Sequence, residues 1–169
     1  MPDAAGITLD NASLGQFGAA AGAGVLAALP SGWCGLTEAA RVTRYLAAES
    51  AGQCGPCLNG LPRMAGAFTE LSRPGADPRC LADLERWSGL VAGRGACHHP
   101  DGTVRLMRSA LAVFSGEVGQ HLAGWCTAGA PAGDRGSAGG PGPAAAPFLP
   151  LPAAGPASTR PTRSRPGRG

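Results

Sequence analysis

The sequence predicts a mainly α-helical protein: a small antiparallel four-helix bundle, preceded by a short strand without partners and followed by a disordered tail. Three observations carry that prediction. Apolar residues recur at three- and four-residue steps from residue 36 to about residue 122, the period of a helix with one buried face. The stretches between these runs are short and marked by Pro and Gly, which suits antiparallel neighbours. Residues 123–169 are mostly Ala, Gly, Pro, Ser and Arg without period, too poor in large apolar groups to offset their ordering entropy. The expected organisation is therefore an N-terminal segment (1–35), a helical bundle (36–122) and a tail (123–169).

Each element follows from local signals. The apolar run Gly24 to Leu29, closed by Pro30-Ser31-Gly32, reads as one strand, with no evident sheet partner elsewhere. A first helix is predicted over 37–49, with Ala39, Val42, Leu46 and Glu49 at helical steps, Thr37 as N-cap and Glu38 in the first turn. A second is predicted over 56–71, entered through Cys54-Gly55-Pro56-Cys57 and stopped by Arg73-Pro74-Gly75. Pro62 requires that this helix either begin later, with the proline in its first turn, or kink. The third, 78–92, aligns Leu81, Leu84, Trp87 or Ser88, and Val91, and ends at Gly93. The fourth, 102–122, aligns Val104, Met107 or Arg108, Leu111, Phe114 and Val118.

Composition narrows the function. With 28 Gly and 16 Pro but only three Trp, one Tyr and four Phe in 169 residues, the core must be modest and rich in alanine. All 14 basic residues are Arg, a bias that fits GC-rich coding better than a functional preference. Arg135, Arg160, Arg163, Arg165 and Arg168 against Asp134 make the basic charge a property of the tail; without interleaved aromatics it reads as solvated, and no nucleic-acid partner is expected. The N-terminus has no basic export region, and the run from Ala19 to Pro30 is too short and glycine-broken to cross about 30 Å of hydrocarbon. A cytoplasmic location is expected, compatible with a peripheral place in a membrane complex. In that compartment the six cysteines read as ligands or free thiols instead of a disulfide framework. No G-x-G-x-x-G loop or P-loop occurs, and no nucleophile, base and orienter assemble into a hydrolase set.

The chemistry lies in Glu49-Ser50-Ala51-Gly52-Gln53-Cys54-Gly55-Pro56-Cys57, answered forty residues later by Cys97. Two thiols bracket a tight turn at a helix entrance, where backbone N–H groups stabilise thiolates, and soft sulfur donors select zinc, copper(I) or iron–sulfur clusters. Several readings fit these residues. Cys54 and Cys57 spell a dithiol redox pair, although the motif follows a helix and no βαβ pattern surrounds it. Cys54, Cys57 and Cys97 with His98 or His99 would satisfy zinc. Cys80 and Cys126 fit better as small core residues.

The surrounding residues carry a more specific resemblance. Gly22-Ala23-Gly24-Val25-Leu26-Ala27-Ala28-Leu29, then Glu49-Ser50-x-Gly52-Gln53-Cys54-x-Pro56-Cys57-x-x-Gly60, Cys97, and Ser109-Ala110-Leu111-x-x-Phe114-x-x-Glu117 together resemble the C-terminal iron–sulfur region of the NADH-binding flavoprotein subunit of respiratory complex I. Subunits of NAD-linked hydrogenases and formate dehydrogenases share that region. The resemblance covers roughly residues 13–122 and implies a helical bundle holding a [4Fe-4S] cluster. The family signature is Glu-Ser-Cys-Gly-x-Cys-x-Pro-Cys, with a fourth cysteine about forty residues on. Cys54, Cys57 and Cys97 match ligands, whereas Ala51 stands at the first ligand position. A fourth ligand must then come from Cys34, His98 or His99, from Cys80 or Cys126, or from outside the chain.

The resemblance begins downstream of where the family binds FMN and NADH. It therefore implies an electron relay with no flavin or nicotinamide of its own, fed by a flavin- and NADH-binding domain or subunit and emptied by another iron–sulfur protein. Residues 1–35 would be the remnant of a preceding domain. The alternative is a cluster-less remnant serving as a structural or interaction module.

Overall fold

The helices follow from amphipathic stretches separated by proline and glycine stops. In chain order they are α1 (Asn11–Gly15), α2 (Gly35–Ala48), a π-helical turn (Pro56–Gly60) running directly into α3 (Leu61–Leu71), α4 (Arg79–Val91), α5 (His99–Val113) and α6 (Ser115–Leu122). The computed structural model describes residues 6–20, 22, 25, 27–30, 32–126 and 128. Among them no helix is long and apolar enough to cross a membrane.

Four helices close into a ring: α2 packs on α3, α3 on α4, α4 on α5, and α5 back on α2, while α6 touches α2, α3 and α5. Phe68, Leu36, Leu61, Met64, Leu71, Leu84 and Met107 fill the centre and are fully buried. Trp87 stays at the rim, with the Arg63 guanidinium 4.6 Å and that of Arg86 5.1 Å from its ring centroid.

The up-and-down path sorts the connections into two poles. At one, the end of α2 meets the start of α5 through His99 Nε2, 2.9 Å from the Leu46 carbonyl, and Gly60 of the π-turn rests on Val91 at the end of α4. At the other, the Glu117 carboxylate on α6 accepts the Leu36 N–H at 2.9 Å, answering an unpaired donor at the positive end of α2. There too, His121 Nδ1 lies 3.2 Å from the Leu71 carbonyl, and the Gly75 N–H donates to the His121 carbonyl at 2.7 Å.

The helical architecture agrees with the sequence-based expectation, with local corrections. No strand is present among the described residues: Val25 and residues 27–30 are irregular, and the rest of the run Gly24 to Leu29 lies outside them. The α2 N-cap is Cys34, whose sulfur accepts the Thr37 N–H, and not Thr37 itself. The fully buried face of α2 is Leu36, Ala40 and Thr43; Ala39, Val42 and Leu46 are only half-buried, because α3 and α5 flank the helix and its most enclosed line lies between them.

Pro62 falls in the first turn of α3, after the π-turn, in which the Leu61 N–H reaches back to the Pro56 carbonyl. The wider turn accommodates a proline that lacks an N–H and crowds the carbonyl four residues before it. The expected helix 102–122 begins earlier, at His99, and breaks at Phe114 (φ −98, ψ 27), whose ring occupies the space beside Gly35 and turns the chain into α6. Most of the expected disordered tail, 123–169, lies outside the described residues.

The glycine contacts generate a paired prediction. A methyl at Gly60 would overlap the Val91 side chain, whereas Gly66, exposed within α3, has open space where a methyl would go. Gly60→Ala should lower stability by about 1–3 kcal/mol through overpacking. Gly66→Ala should raise it by about 0.5–1 kcal/mol through helix propensity. Urea midpoints at unchanged slope would read both.

Candidate metal centre

Two loops converge at the first pole. The chain leaves α2, turns through Gly52 with a left-handed φ of 62, and re-enters a helix at the π-turn. This route directs the Gly52 N–H at the Cys57 sulfur and the Cys57 N–H at the Cys54 sulfur. The second loop, between α4 and α5, is folded onto the first turn of α5 by the Gly93 N–H, which donates to Asp101 Oδ1 at 2.7 Å. Gly95 must be small there, since a Cβ would lie 2.8 Å from the Cys97 carbonyl oxygen and 2.9 Å from Pro100 Cγ. The loop thereby presents the Ala96 N–H to the Cys54 sulfur.

Electrostatics follow from these contacts. The N–H groups of Ala96 and then Cys57 hold the Cys54 thiol below its ordinary pKa. Burial pushes the Cys57 thiol up, as does its hydrogen bond to Cys54, with added repulsion from Cys54 and Cys97. Cys54 and Cys57 thus interact directly, and Cys97, from the second loop, acts on Cys57 through its charge. Cys57 is buried, Cys54 half-buried and Cys97 exposed. Leu58 adds an exposed apolar side chain beside them.

The other sequence candidates fall elsewhere or are already engaged. Ala51 is exposed in the Gly52 turn, and its carbonyl accepts from Gln53 Nε2 at 3.2 Å. His98 is exposed at the N-cap of α5. His99 directs Nε2 to the Leu46 carbonyl, which locks the start of α5 to the end of α2 and leaves that nitrogen unavailable to iron. Cys80 is buried at the start of α4, where burial raises its pKa. Cys34 is carried to the opposite pole, because α2 has 14 residues and separates its two ends by about 21 Å.

At that opposite pole the sequence reading missed a residue. His121 is fully buried beside Cys34, with Cys126 and Glu117 close by. Burial pushes the Cys34 thiol up, but hydrogen bonds with His121 and Thr37 outweigh it and leave the pKa below the ordinary thiol value. Burial pushes Cys126 up to about 11. The available signal was a histidine on the apolar stripe of the last helix, three residues beyond Val118 and seven beyond Phe114.

A helical bundle whose connecting loops gather thiols beneath backbone N–H groups is a fold for holding a soft metal centre. Residues 37–121, half of the chain, match the NADH-ubiquinone oxidoreductase-F iron-sulfur binding region, and the chain belongs to that family. It is similar to the F subunit of NADH-quinone oxidoreductase from Buchnera aphidicola subsp. Schizaphis graminum (strain Sg), with 25% identity over 109 residues, 64% of this chain and 24% of that protein. It is also similar to the same protein of Buchnera aphidicola subsp. Acyrthosiphon pisum (strain APS), with 24% identity over 112 residues, 66% of this chain and 25% of the relative. The chain spans about a quarter of the length of these curated relatives.

The opposed pKa shifts predict an order of reactivity in metal-free protein. The Cys54 thiolate should be present at lower pH than that of an ordinary thiol, and the Cys57 thiolate only at higher pH. Alkylation rates resolved by peptide mass spectrometry across about pH 7–10 should rise at lower pH at Cys54 than at Cys57. Coincident profiles would contradict these N–H contacts.

Proposed function

We propose that this chain is the electron-relay module of an NADH dehydrogenase-type complex, holding one iron–sulfur cluster of the [4Fe-4S] type on Cys54, Cys57 and Cys97. The observation that carries the reading is the convergence of the two loops, with the N–H groups of Gly52, Cys57 and Ala96 aimed at sulfur. Those donors stabilise negative charge on thiolates, and hydrogen bonds to sulfur help set a cluster's potential. Three thiolates would hold a cluster at three corners. Ala51 stands where the family signature has its remaining ligand, and its methyl cannot ligate iron, so an external or partner ligand would complete the cluster.

A cluster bound there supplies one-electron storage and transfer. The chain's own residues hold it: Cys57 from the buried side, Cys54 from the turn, and Cys97 from the exposed loop. Exposed Cys97 and Leu58 put this pole where a second protein can approach closely. The relatives are named as parts of NADH-quinone oxidoreductase, which suggests the partners. Electrons would arrive from a flavin- and NADH-binding domain or subunit and leave to another iron–sulfur protein.

Ala51 favours a second reading, in which the same thiols hold zinc or act as a dithiol, or the bundle serves as a cluster-less interaction module. Iron and sulfide separate these readings. Anaerobically reconstituted protein should be brown and contain iron and sulfide in near-equal amounts. Cys54→Ser, Cys57→Ser and Cys97→Ser should each lose most of that iron, while Cys34→Ser and Cys80→Ser retain it. Full iron retention in Cys97→Ser would remove the ligand assignment, and zinc without sulfide that is lost in Cys54→Ser and Cys57→Ser would select the zinc reading.

Ala51 gives a sharper test. The Gly52 N–H already faces the Cys57 sulfur, so a thiol at position 51 would enter the same group. Ala51→Cys should raise cluster occupancy and slow its loss in oxygen, followed by visible absorbance. Unchanged occupancy would mean that an existing ligand already fills the fourth position.

A further inference from the structure

We propose a second, structural metal site at the opposite pole, taking zinc on Cys34 Sγ, Cys126 Sγ and His121 Nε2. These residues come from the N-cap of α2, the end of α6 and the segment after it, yet their three donor atoms lie within 4.8 Å of one another. The Cys34 Sγ to His121 Nε2 separation is 3.5 Å. Tetrahedral zinc with Zn–S of about 2.3 Å and Zn–N of about 2.0–2.1 Å requires an S···N edge of about 3.6 Å. One edge of the site therefore already has its length, and closing the third donor on it is a small movement.

A thiol–imidazole hydrogen bond alone would give the same 3.5 Å spacing. What favours a metal is that every donor has its own partner behind it. The Thr37 N–H donates to Cys34 Sγ at 3.4 Å, and the Ala128 N–H donates to Cys126 Sγ at 3.4 Å. His121 Nδ1 lies 3.2 Å from the Leu71 carbonyl, which can only accept, so Nδ1 carries the proton and the Nε2 lone pair faces the sulfur. A histidine oriented by a carbonyl on its second nitrogen is the usual arrangement of an imidazole ligand.

Charge and access agree with that assignment. Two thiolates and a neutral imidazole balance a divalent ion, as a largely buried pocket demands. Their softness disfavours magnesium or calcium. Glu117 Oε2, 3.8 Å from Cys34 Sγ and holding the Leu36 N–H, borders the set and can orient a water in the fourth position. Cys34 and His121 are buried, while Cys126 is half-buried and provides the way in. Binding releases the two thiol protons to solvent and involves no redox step. The ion would tie residue 34 to residue 126 across the whole bundle, a closure whose entropic gain grows with the loop it spans. The inference is independent of the cluster reading, since no donor is shared.

The test uses the full chain carrying Cys54→Ser, Cys57→Ser and Cys97→Ser, titrated with zinc and with cobalt(II) under reducing conditions, with circular dichroism monitoring helicity. One equivalent of zinc should bind, and the cobalt form should show sulfur-to-metal charge-transfer absorbance. Adding Cys34→Ser or Cys126→Ser should weaken zinc at least about tenfold, a factor that loss of a partner behind a ligand alone can reach. His121→Gln should do the same; half-buried Cys126 is the variant least exposed to folding failure. No zinc binding by a natively helical chain, or unchanged affinity in both cysteine variants, would overturn the proposal. Independently of folding in the variants, zinc should protect Cys34 and Cys126 from alkylation in the unmodified chain, and equal labelling with and without zinc would also overturn it.

Discussion

Everything chemical in this protein depends on the up-and-down closure of four helices, each 11–15 residues long. Helices of that length span about 16–23 Å. Each connection must then lie at one end or the other, and side chains at opposite ends cannot share a ligand. Closure sends the α2–α3 and α4–α5 connections to one pole and the α3–α4 connection, with α6, to the other. Cysteines distant in sequence are sorted by that parity. Cys97 joins Cys54 and Cys57, whereas Cys34, only twenty residues before Cys54, is carried away from it.

Among the described residues, the core that enforces this closure contains one fully buried Phe, Tyr or Trp, Phe68, among Leu, Met, Val and small residues. Such a core tolerates close approach more readily than bulk. Gly60 against Val91 and Gly35 against Phe114 are places where missing side chains let elements meet, and both lie next to cysteines: Cys57 in the π-turn and Cys34 at the α2 N-cap. The cysteine-bearing ends are therefore fixed by backbone-close contacts and not by large apolar anchors, so a single methyl there would move a sulfur as well as cost stability.

Much of this was legible in the sequence because it is local. Helical periodicity located α2, α3 and α4, the Cys-Gly-Pro-Cys turn announced a helix entrance, and Ala51 stood out against the family signature. What was not legible depends on tertiary contact. The break at Phe114 follows from its ring meeting Gly35, seventy-nine residues away, and the apolar stripe of 102–122 does not contain that partner. Thr37 has the better N-cap propensity, but Cys34 takes the role where Glu117 and His121 converge on the start of α2. The buried face of α2 shifted by one residue because two neighbours, not one, cover it.

The two histidines that matter show how one device serves two ends. Each ties its helix to a carbonyl near the end of another: His99 to Leu46 and His121 to Leu71. They differ in which nitrogen is spent. His99 uses Nε2, the more extended donor, so the ring acts as a strut between α5 and α2. His121 uses Nδ1, which leaves Nε2 projecting into a buried space already bordered by two sulfurs. The same residue type is thus structural at the pole that gathers three thiols and ligand-like at the pole that has two. A neutral imidazole there supplies what a third thiolate would supply, without adding a further negative charge to a pocket that already holds Glu117.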